Sequence, residues 1–468
     1  MHSGENLKID TLFPTKVFIN ALITALGYVV VQLDVTIVNV ALPTFSRVFD
    51  ADISILQWIP DAYVIVFAAL LLAAGGLSDK YGSKNINLAG IGLFLLASLL
   101  CALSPSLNLM ILGRVFQGIG AALIVPSSLS LLTGACGDNS SLRRKAIGWW
   151  SAIGGVISAA GPFFGGLILK HISWHALFLL NIPICMVGII LTMFYVHEPA
   201  TPRMRNIDHK GILLFVITSF SLIYLLIQFG KSYAFTQTLL LCLGIFAFAC
   251  IMLIVHIKNS VNAFLPLSLL RNRIFSLSLL LGAIMNLAFY GSIFLLTVYF
   301  QVYRGFSPLM TGLALLTFAV IALANTASSA ISERIGVRLT IVIGLLIATI
   351  NYSSLALLTY TDASYKTFVG FLFLMTLGGG IATPAIIASC LYQAPPNKAA
   401  TASAAINAMR QTGAAVGVAL LGILVTGTHF SINIGASVGF AIAAVIMFCA
   451  ALVVFKSFIM PTAIPDDA

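Results

Sequence analysis

The chain has 468 residues, of which 60% are hydrophobic and only 8% are charged. No soluble globular domain has this balance, so the composition excludes a soluble enzyme or binding module and indicates a protein that crosses the membrane many times. The net charge of +10 does not indicate nucleic-acid binding, because the Lys and Arg residues stand singly or in small groups between apolar runs.

Polar breaks recur along the chain at intervals that predict fourteen membrane spans, since a spanning helix needs about 20 apolar residues. The predicted spans are 17–42, 54–76, 87–104, 108–133, 144–169, 175–196, 211–229, 237–257, 274–301, 309–331, 337–358, 365–392, 399–425 and 434–456. The first is too long for the core of a signal peptide, and we expect it to remain as a helix.

The distribution of basic residues predicts the orientation of these spans. Most of the 24 Lys and Arg residues fall in segments on the same side as the N-terminus, which the positive-inside rule makes cytoplasmic. Both termini are therefore predicted to be cytoplasmic.

Cofactor chemistry has no support in the sequence. The seven cysteines form no CxxC pair and have no His at ligand spacing, which predicts neither a disulfide framework nor a metal site. The loops are short and carry no nucleophile–base–acid set, so we do not expect an enzyme.

The first predicted span carries Asp34 and Asn39 within the apolar stretch Leu33–Pro43. A carboxylate at the centre of a membrane helix costs about 2.5–3.5 kcal/mol on insertion scales, so it survives only where it faces a cavity or a partner. Asp61 in the second span is the other embedded acid, and Gln57 lies one turn before it on the same face.

An embedded arginine accompanies these acids. Arg114 in the fourth span needs an anion or carbonyl groups as partners, unless it snorkels to the outer interface. At 1.5 Å per residue, Asp34, Asp61 and Arg114 all lie about 9–12 Å below the outer surface. We expect them to form one layer that holds either a proton or a cation.

A short pattern of an acid, a base, any residue, Gly, any residue and a base occurs twice. It follows the second span at 79–84 and the tenth span at 333–338. The pattern is either an internal repeat or the turn chemistry common to cytoplasmic loops. The repeat predicts a six-helix bundle at 1–196, a linker with two extra membrane helices at 197–273, and a second six-helix bundle at 274–468. The conformational residues assigned to the first copy are Gly75, Asp79, Lys80, Gly82 and Lys84.

The fifth span is rich in glycine, with Gly154, Gly161, Gly165 and Gly166 around Pro162. Gly161 and Gly165 lie on one face and favour close approach of another helix, while Pro162 frees a carbonyl and bends the helix. Generic membrane-helix packing is the alternative.

These motifs resemble those of the major facilitator superfamily, in particular its fourteen-helix drug:proton antiporters. The resemblance also covers Trp174–Pro183, Tyr299–Pro308 and the run from Asn407 through Arg410 to Gly413. It implies an all-α membrane protein with two six-helix bundles and an inserted central helix pair. The glycine–proline motif implies an exporter, and the two acids resemble the branch that expels quaternary ammonium antiseptics. Ser83, Lys80 and the short segment Gly427–Asn433 depart from the family pattern.

The sequence and the resemblance together predict a proton-coupled antiporter in the cytoplasmic (inner) membrane of a bacterium. It would export lipophilic, cationic drugs, using the proton gradient in place of a cofactor, with protons and membrane lipids as further partners and no nucleic acid. Whether a periplasmic adaptor takes part is left open. The residues assigned to proton coupling and substrate binding are Asp34, Asp61, Arg114, Gln57, Asn39, Arg410 and Tyr299.

Two alternatives remain. One is the export of a single endogenous metabolite or siderophore, in which a neutral or anionic ligand would use Arg410 near the midplane more than Asp61. The other is a sensor that keeps the fold without transport, although embedded charges and the antiporter motif count against it.

Overall fold

Every regular element in the computed structural model is helical. The structure describes residues 15–136, 140–198, 208–232, 236–260, 263, 265, 267–394, 399–426 and 431–457. The predicted all-α membrane fold is confirmed.

In the N-terminal part, the described residues form nine α-helices and one 3-10 turn, Val38–Ala41, which joins the first two. The helices are α1 (Thr15–Ile37), α2 (Leu42–Phe49), α3 (Ile53–Leu56), α4 (Trp58–Tyr81), α5 (Ser83–Ala102), α6 (Leu107–Ala135), α7 (Ser140–His171), α8 (His175–Leu179) and α9 (Asn181–Tyr195).

From residue 208 onward, the part that the structure describes contains ten α-helices, a π-helical turn at Tyr299–Tyr303 and a 3-10 turn at Leu316–Val320. The helices are α10 (His209–Ser232), α11 (Gln237–Asn259), α12 (Leu267–Leu270), α13 (Arg273–Val298), α14 (Pro308–Leu315), α15 (Ile321–Ile335), α16 (Val337–Tyr360), α17 (Tyr365–Tyr392), α18 (Ala399–Thr426) and α19 (Ile432–Ser457).

Twelve helical stretches in the described residues are long and apolar enough to cross a membrane. Two shorter apolar stretches, Trp58–Leu71 and Pro308–Phe318, fall in the predicted second and tenth spans. The count of fourteen spans therefore stays a prediction, as do the predicted domain boundaries.

The inserted helix α10 lies at a junction between the N-terminal and C-terminal helices. It packs against α11 on one side and contacts both α4 and α18 on the other. Helices α4 and α18 also contact each other, as do α7 and α14. We call outer the side on which α1 ends and α4 begins, following the predicted orientation.

Two glycines shape the turns of the repeated motif. Gly82 has φ 89° and Gly336 has φ 83°, a backbone conformation that L residues with a side chain rarely adopt. The first turn is held by Glu198, whose carboxylate accepts hydrogen bonds from the backbone N–H groups of Ser83 at 2.6 Å and Lys84 at 2.8 Å. Glu198 thus caps the N-terminus of α5 from the segment after α9.

The other conformational residues of this motif contribute less to the turn. Lys84 donates from Nζ to the Met193 carbonyl oxygen at 2.9 Å, and Lys80 lies 5.1 Å from the Tyr81 ring centroid. A Cβ on Gly75 would meet nothing within 4 Å. The side chain of Asp79 lies outside the described residues.

The glycines of α7 pack on two different partners. A Cβ on Gly161 would collide with the Thr36 side chain of α1, and one on Gly165 would lie 2.9 Å from the Ile37 carbonyl oxygen. Gly154 faces the ring of Tyr28, which also belongs to α1. Gly161, Gly165 and Gly154 therefore serve packing within the N-terminal helices.

Gly166 instead faces the C-terminal helices. A Cβ there would lie 2.8 Å from the Leu309 Cα atom, and one on Gly312 would lie 2.9 Å from the Phe163 Cα atom. The backbones of α7 and α14 therefore touch near their outer ends, over the turn of α7 from Pro162 to Gly166.

Candidate functional site

A buried ion pair joins α1 to α6. The Asp34 carboxylate pairs with the Arg114 guanidinium, and both side chains are completely buried. Arg114 also donates from Nε to the Ile59 carbonyl oxygen at 3.0 Å and from Nη1 to Gln117 at 2.8 Å. These contacts exclude snorkelling of Arg114 to the interface.

Two side-chain amides donate hydrogen bonds to the second oxygen of the Asp34 carboxylate. Its Oδ1 atom accepts hydrogen bonds from Gln117 Nε2 at 3.2 Å and Asn181 Nδ2 at 3.0 Å. The Ser98 hydroxyl oxygen accepts from the same two amides, at 2.8 Å and 3.3 Å. The network therefore ties α1, α4, α5, α6 and α9 together, and Asp34 is neutralised inside it.

The aromatic ring of Tyr63 closes this network from α4. The Arg114 Cζ atom lies 4.3 Å from the Tyr63 ring centroid, a cation–π distance, and the Tyr63 hydroxyl donates to the Val31 carbonyl oxygen at 3.4 Å. The role of Ser98 carried no signal in the sequence. Gln117 did, since it follows Arg114 by three residues and so shares its face.

Asp61 lies apart from this network. It is completely buried, and neither carboxylate oxygen has a hydrogen-bond partner among the described residues. At 100° per residue, Asp61 points about 160° away from Tyr63 on α4, and so away from Arg114. The two embedded acids therefore occupy separate sites, while their common depth stays a prediction.

Gln57 shows what Asp61 faces. Its side-chain amide packs directly against Gly422 of α18, at the position where a Cβ would otherwise stand. Asp61 lies one turn deeper on the same face of α4, and α18 packs against α4. Because the two helices run antiparallel, helix geometry places Asp61 at the level of the α18 turn that precedes Gly422. We call this contact of α4 with α18 the outer seam.

The remaining predicted residues occupy three other places. Asn39 donates to the Val35 carbonyl oxygen at 3.0 Å and is buried in the turn after α1. Tyr299 lies in the π-helical turn, where its hydroxyl accepts from Arg304 and donates to Asp362 at 3.0 Å. Neither residue joins the two embedded acids.

Arg410 of α18 lies near the centre of the molecule. Its guanidinium reaches two amide oxygens, those of Asn286 at 3.4 Å and Asn407 at 3.3 Å. Tyr28 of α1 and Tyr290 of α13 both lie within electrostatic range of its charge. Arg410 therefore stands where the N-terminal and C-terminal helices meet.

Contacts across the outer ends show the conformation. Gln301 donates from Nε2 to the Val40 carbonyl oxygen at 2.9 Å, which links the turn after α13 to the turn after α1. The close approach at Gly166 and Gly312 and the outer seam add two more contacts on this side. The structure is therefore closed on its outer side.

Comparison with known proteins places these features in a family. Residues 24–418 match the sequence profile of the Major Facilitator Superfamily. The methylenomycin A resistance protein of Streptomyces coelicolor is 36% identical over 89% of this chain and 86% of its own length. The multidrug resistance protein Stp of Mycobacterium tuberculosis is 33% identical over 85% of this chain and 74% of its own.

Solved structures agree on the fold. A transporter of the POT family, in complex with a thioalcohol-conjugated peptide, superposes with a TM-score of 0.70 at 15% identity, covering 96% of both chains. At this identity the likeness concerns the fold alone.

Proposed function

Because the chain belongs to the major facilitator superfamily, and its relatives include drug resistance and efflux proteins, we propose that it exports lipophilic drugs from the cytoplasm in exchange for protons. Its place is the cytoplasmic membrane of a bacterium, with both termini in the cytoplasm. The chain is a multi-pass membrane transporter for small molecules.

The observation that carries the proton coupling is Asp61 at the closed outer seam, where its carboxylate has no partner within the described part of the chain. An ionised carboxylate that is buried without a partner costs on the order of several kcal/mol. The seam therefore closes readily only when a proton or a cationic group neutralises Asp61.

This condition produces exchange. When the outer side is open, Asp61 is accessible from outside and takes a proton, which permits the seam to close and the cytoplasmic side to open. A cationic drug from the cytoplasm then displaces the proton and neutralises Asp61 in its turn. Both loaded forms can move between the two conformations, whereas the ionised empty form resists closure.

Aromatic side chains at the seam suit a flat lipophilic substrate. The Trp58 ring lies 5.1 Å from the Phe220 ring and 6.0 Å from the Tyr224 ring, between centroids. Trp58 precedes Asp61 by three residues and so lies on nearly the same face of α4. The inserted helix α10 thus adds an aromatic wall beside the acid, where a cation–π contact is available.

Asp34 has a structural role in this scheme. Its carboxylate is already paired with Arg114 and bound by two amides, so it is not available to a proton or a cation in this conformation. Asp34 and Asp61 were expected to share one site. In this scheme Asp34 instead stabilises the helix packing, and Asp61 binds the proton or the cation.

Uptake of a lipophilic cationic dye into inside-out vesicles with an acidic lumen tests this function. Wild type should accumulate the dye, and a protonophore should abolish the accumulation. Asp61→Asn should lose proton-driven uptake, because an amide takes up no proton. The control is Asp50→Asn, an exposed acid at φ 46°, which Asn also adopts readily. Uptake that continues undiminished in the protonophore, or in Asp61→Asn, would refute the proposal.

A further inference from the structure

Arg410 is a positive charge with no carboxylate partner among the residues that the structure describes. The ion pairs formed among the described residues are Arg114–Asp34, His256–Asp208 and Arg304–Asp362. Arg410 is left with two amide oxygens at 3.3–3.4 Å, the long end of hydrogen-bond distances. A charged arginine at membrane depth normally has an anion close by.

The position of Arg410 is suited to a transported molecule. It lies eleven residues into α18 as counted from Ala399, which is about 16 Å, or roughly half of the hydrocarbon core. Arg410 of α18 and Tyr28 of α1 are both partly exposed, although one belongs to the C-terminal helices and the other to the N-terminal helices. Neither side chain is therefore fully enclosed by the surrounding helices.

A donor without a partner among the described residues stands beside Tyr28. The Trp150 ring stacks on the Tyr28 ring with centroids 3.7 Å apart and an angle of 13° between planes. Trp150 is buried, and its indole Nε1–H has no hydrogen-bond acceptor among the described residues. A guanidinium and an indole N–H both offer hydrogens and accept none.

The embedded acids do not neutralise this region. The carboxylate of Asp34 is already paired with Arg114, and Asp61 lies at the outer seam. The centre between α1, α7, α13 and α18 therefore combines one net positive charge, an unused donor and a pair of stacked aromatic rings.

We propose that Arg410 binds the carboxylate of an amphipathic organic acid at the centre of the transport path, with Tyr28 and Trp150 supporting its apolar body. A carboxylate forms two parallel hydrogen bonds with a guanidinium, which are shorter and stronger than the contacts to Asn286 and Asn407 that they would replace. The membrane potential, negative inside, also favours the outward movement of an anion.

This inference rests on the proposed export function and adds a substrate class to it. Asp61 remains the proton-carrying acid, and Arg410 supplies a second subsite with the opposite charge preference. The proposed substrates therefore include organic acids, among them those that also carry an amine, in addition to lipophilic cations.

Three naphthalene compounds of similar size test the subsite: 1-naphthaleneacetic acid, its methyl ester and 2-(1-naphthyl)ethylamine. Binding is measured by quenching of tryptophan fluorescence in the purified full-length protein. Wild type should bind the acid more tightly than the ester. Arg410→Gln should raise the Kd of the acid about 10- to 100-fold with little change for the ester, and Arg410→Lys should fall between.

Arg47→Gln is the matched control, because Arg47 is an exposed arginine of α2 at the outer surface, and it should bind all three compounds like wild type. The inference is overturned if wild type prefers the ester, or if Arg410→Gln weakens the acid and the ester equally. Arg410→Lys keeps the charge but cannot form two parallel hydrogen bonds with a carboxylate. Its Kd for the acid therefore distinguishes loss of this paired contact from loss of folding. Proton-driven uptake of the cationic dye by the same variants in inside-out vesicles tests the export function separately.

Discussion

Replacing Asp34 by Asn should destabilise the N-terminal helices and stop transport of every substrate. The change leaves the Arg114 guanidinium buried without its counter-ion, and breaking a buried pair by removing one partner costs about 3–5 kcal/mol. Arg114 keeps the Ile59 carbonyl, the Gln117 amide and the Tyr63 ring, so we expect a loss near 3 kcal/mol.

The assay is thermal unfolding of the detergent-solubilised protein beside vesicle transport. Asp34→Asn should lower the unfolding temperature, and so should Arg114→Gln. The double variant should be less destabilised than the sum of the two single variants, since neither charge is then left alone. The reasoning is refuted if Asp34→Asn unfolds like wild type while only the pH dependence of its transport changes, because Asp34 would then be a proton carrier.

Three other outcomes are expected. Gly166→Leu should insert normally but fail in transport, because the side chain meets the Leu309 backbone and prevents outer closure; normal turnover would contradict this. Gly161→Leu should instead lower the unfolding temperature, because its collision with α1 costs about 1–3 kcal/mol of stability, and an unchanged unfolding temperature would count against that packing. Glu198→Gln should weaken the cap on α5 by about 1–2 kcal/mol, measured as faster proteolysis near Gly82, and wild-type proteolysis would show that the cap contributes nothing.

Embedded charges were the part of the site that the sequence revealed most directly. The cost of burying Asp34 and Arg114 predicts that each has a partner, and counting residues from the helix ends predicts that they lie at the same depth. They are in fact each other's partners. Depth did not show that Asp61 points the other way, because the rotation of α4 is fixed by its packing against α6 and α18.

Irregular turns were the part that periodicity missed. Regular spacing treats residues 274–301 as one helix, whereas a π-helical turn at Tyr299–Tyr303 redirects Tyr299 to Arg304 and Asp362. The glycine-rich fifth span was correctly expected to pack closely. Which helix each glycine meets depends on tertiary contacts that one sequence does not encode locally.

The central claim is that the outer seam closes when Asp61 is neutral, and the distance across the outer side tests it most directly. Spin labels at Val48→Cys and Met310→Cys, both exposed near the outer ends of opposite groups of helices, report this distance once the native cysteines are replaced. Without substrate, lowering the pH should shift the distances toward the short population, and Asp61→Asn should stay short at every pH. An equal pH response in Asp61→Asn, or none in the protein that retains Asp61, would contradict the account.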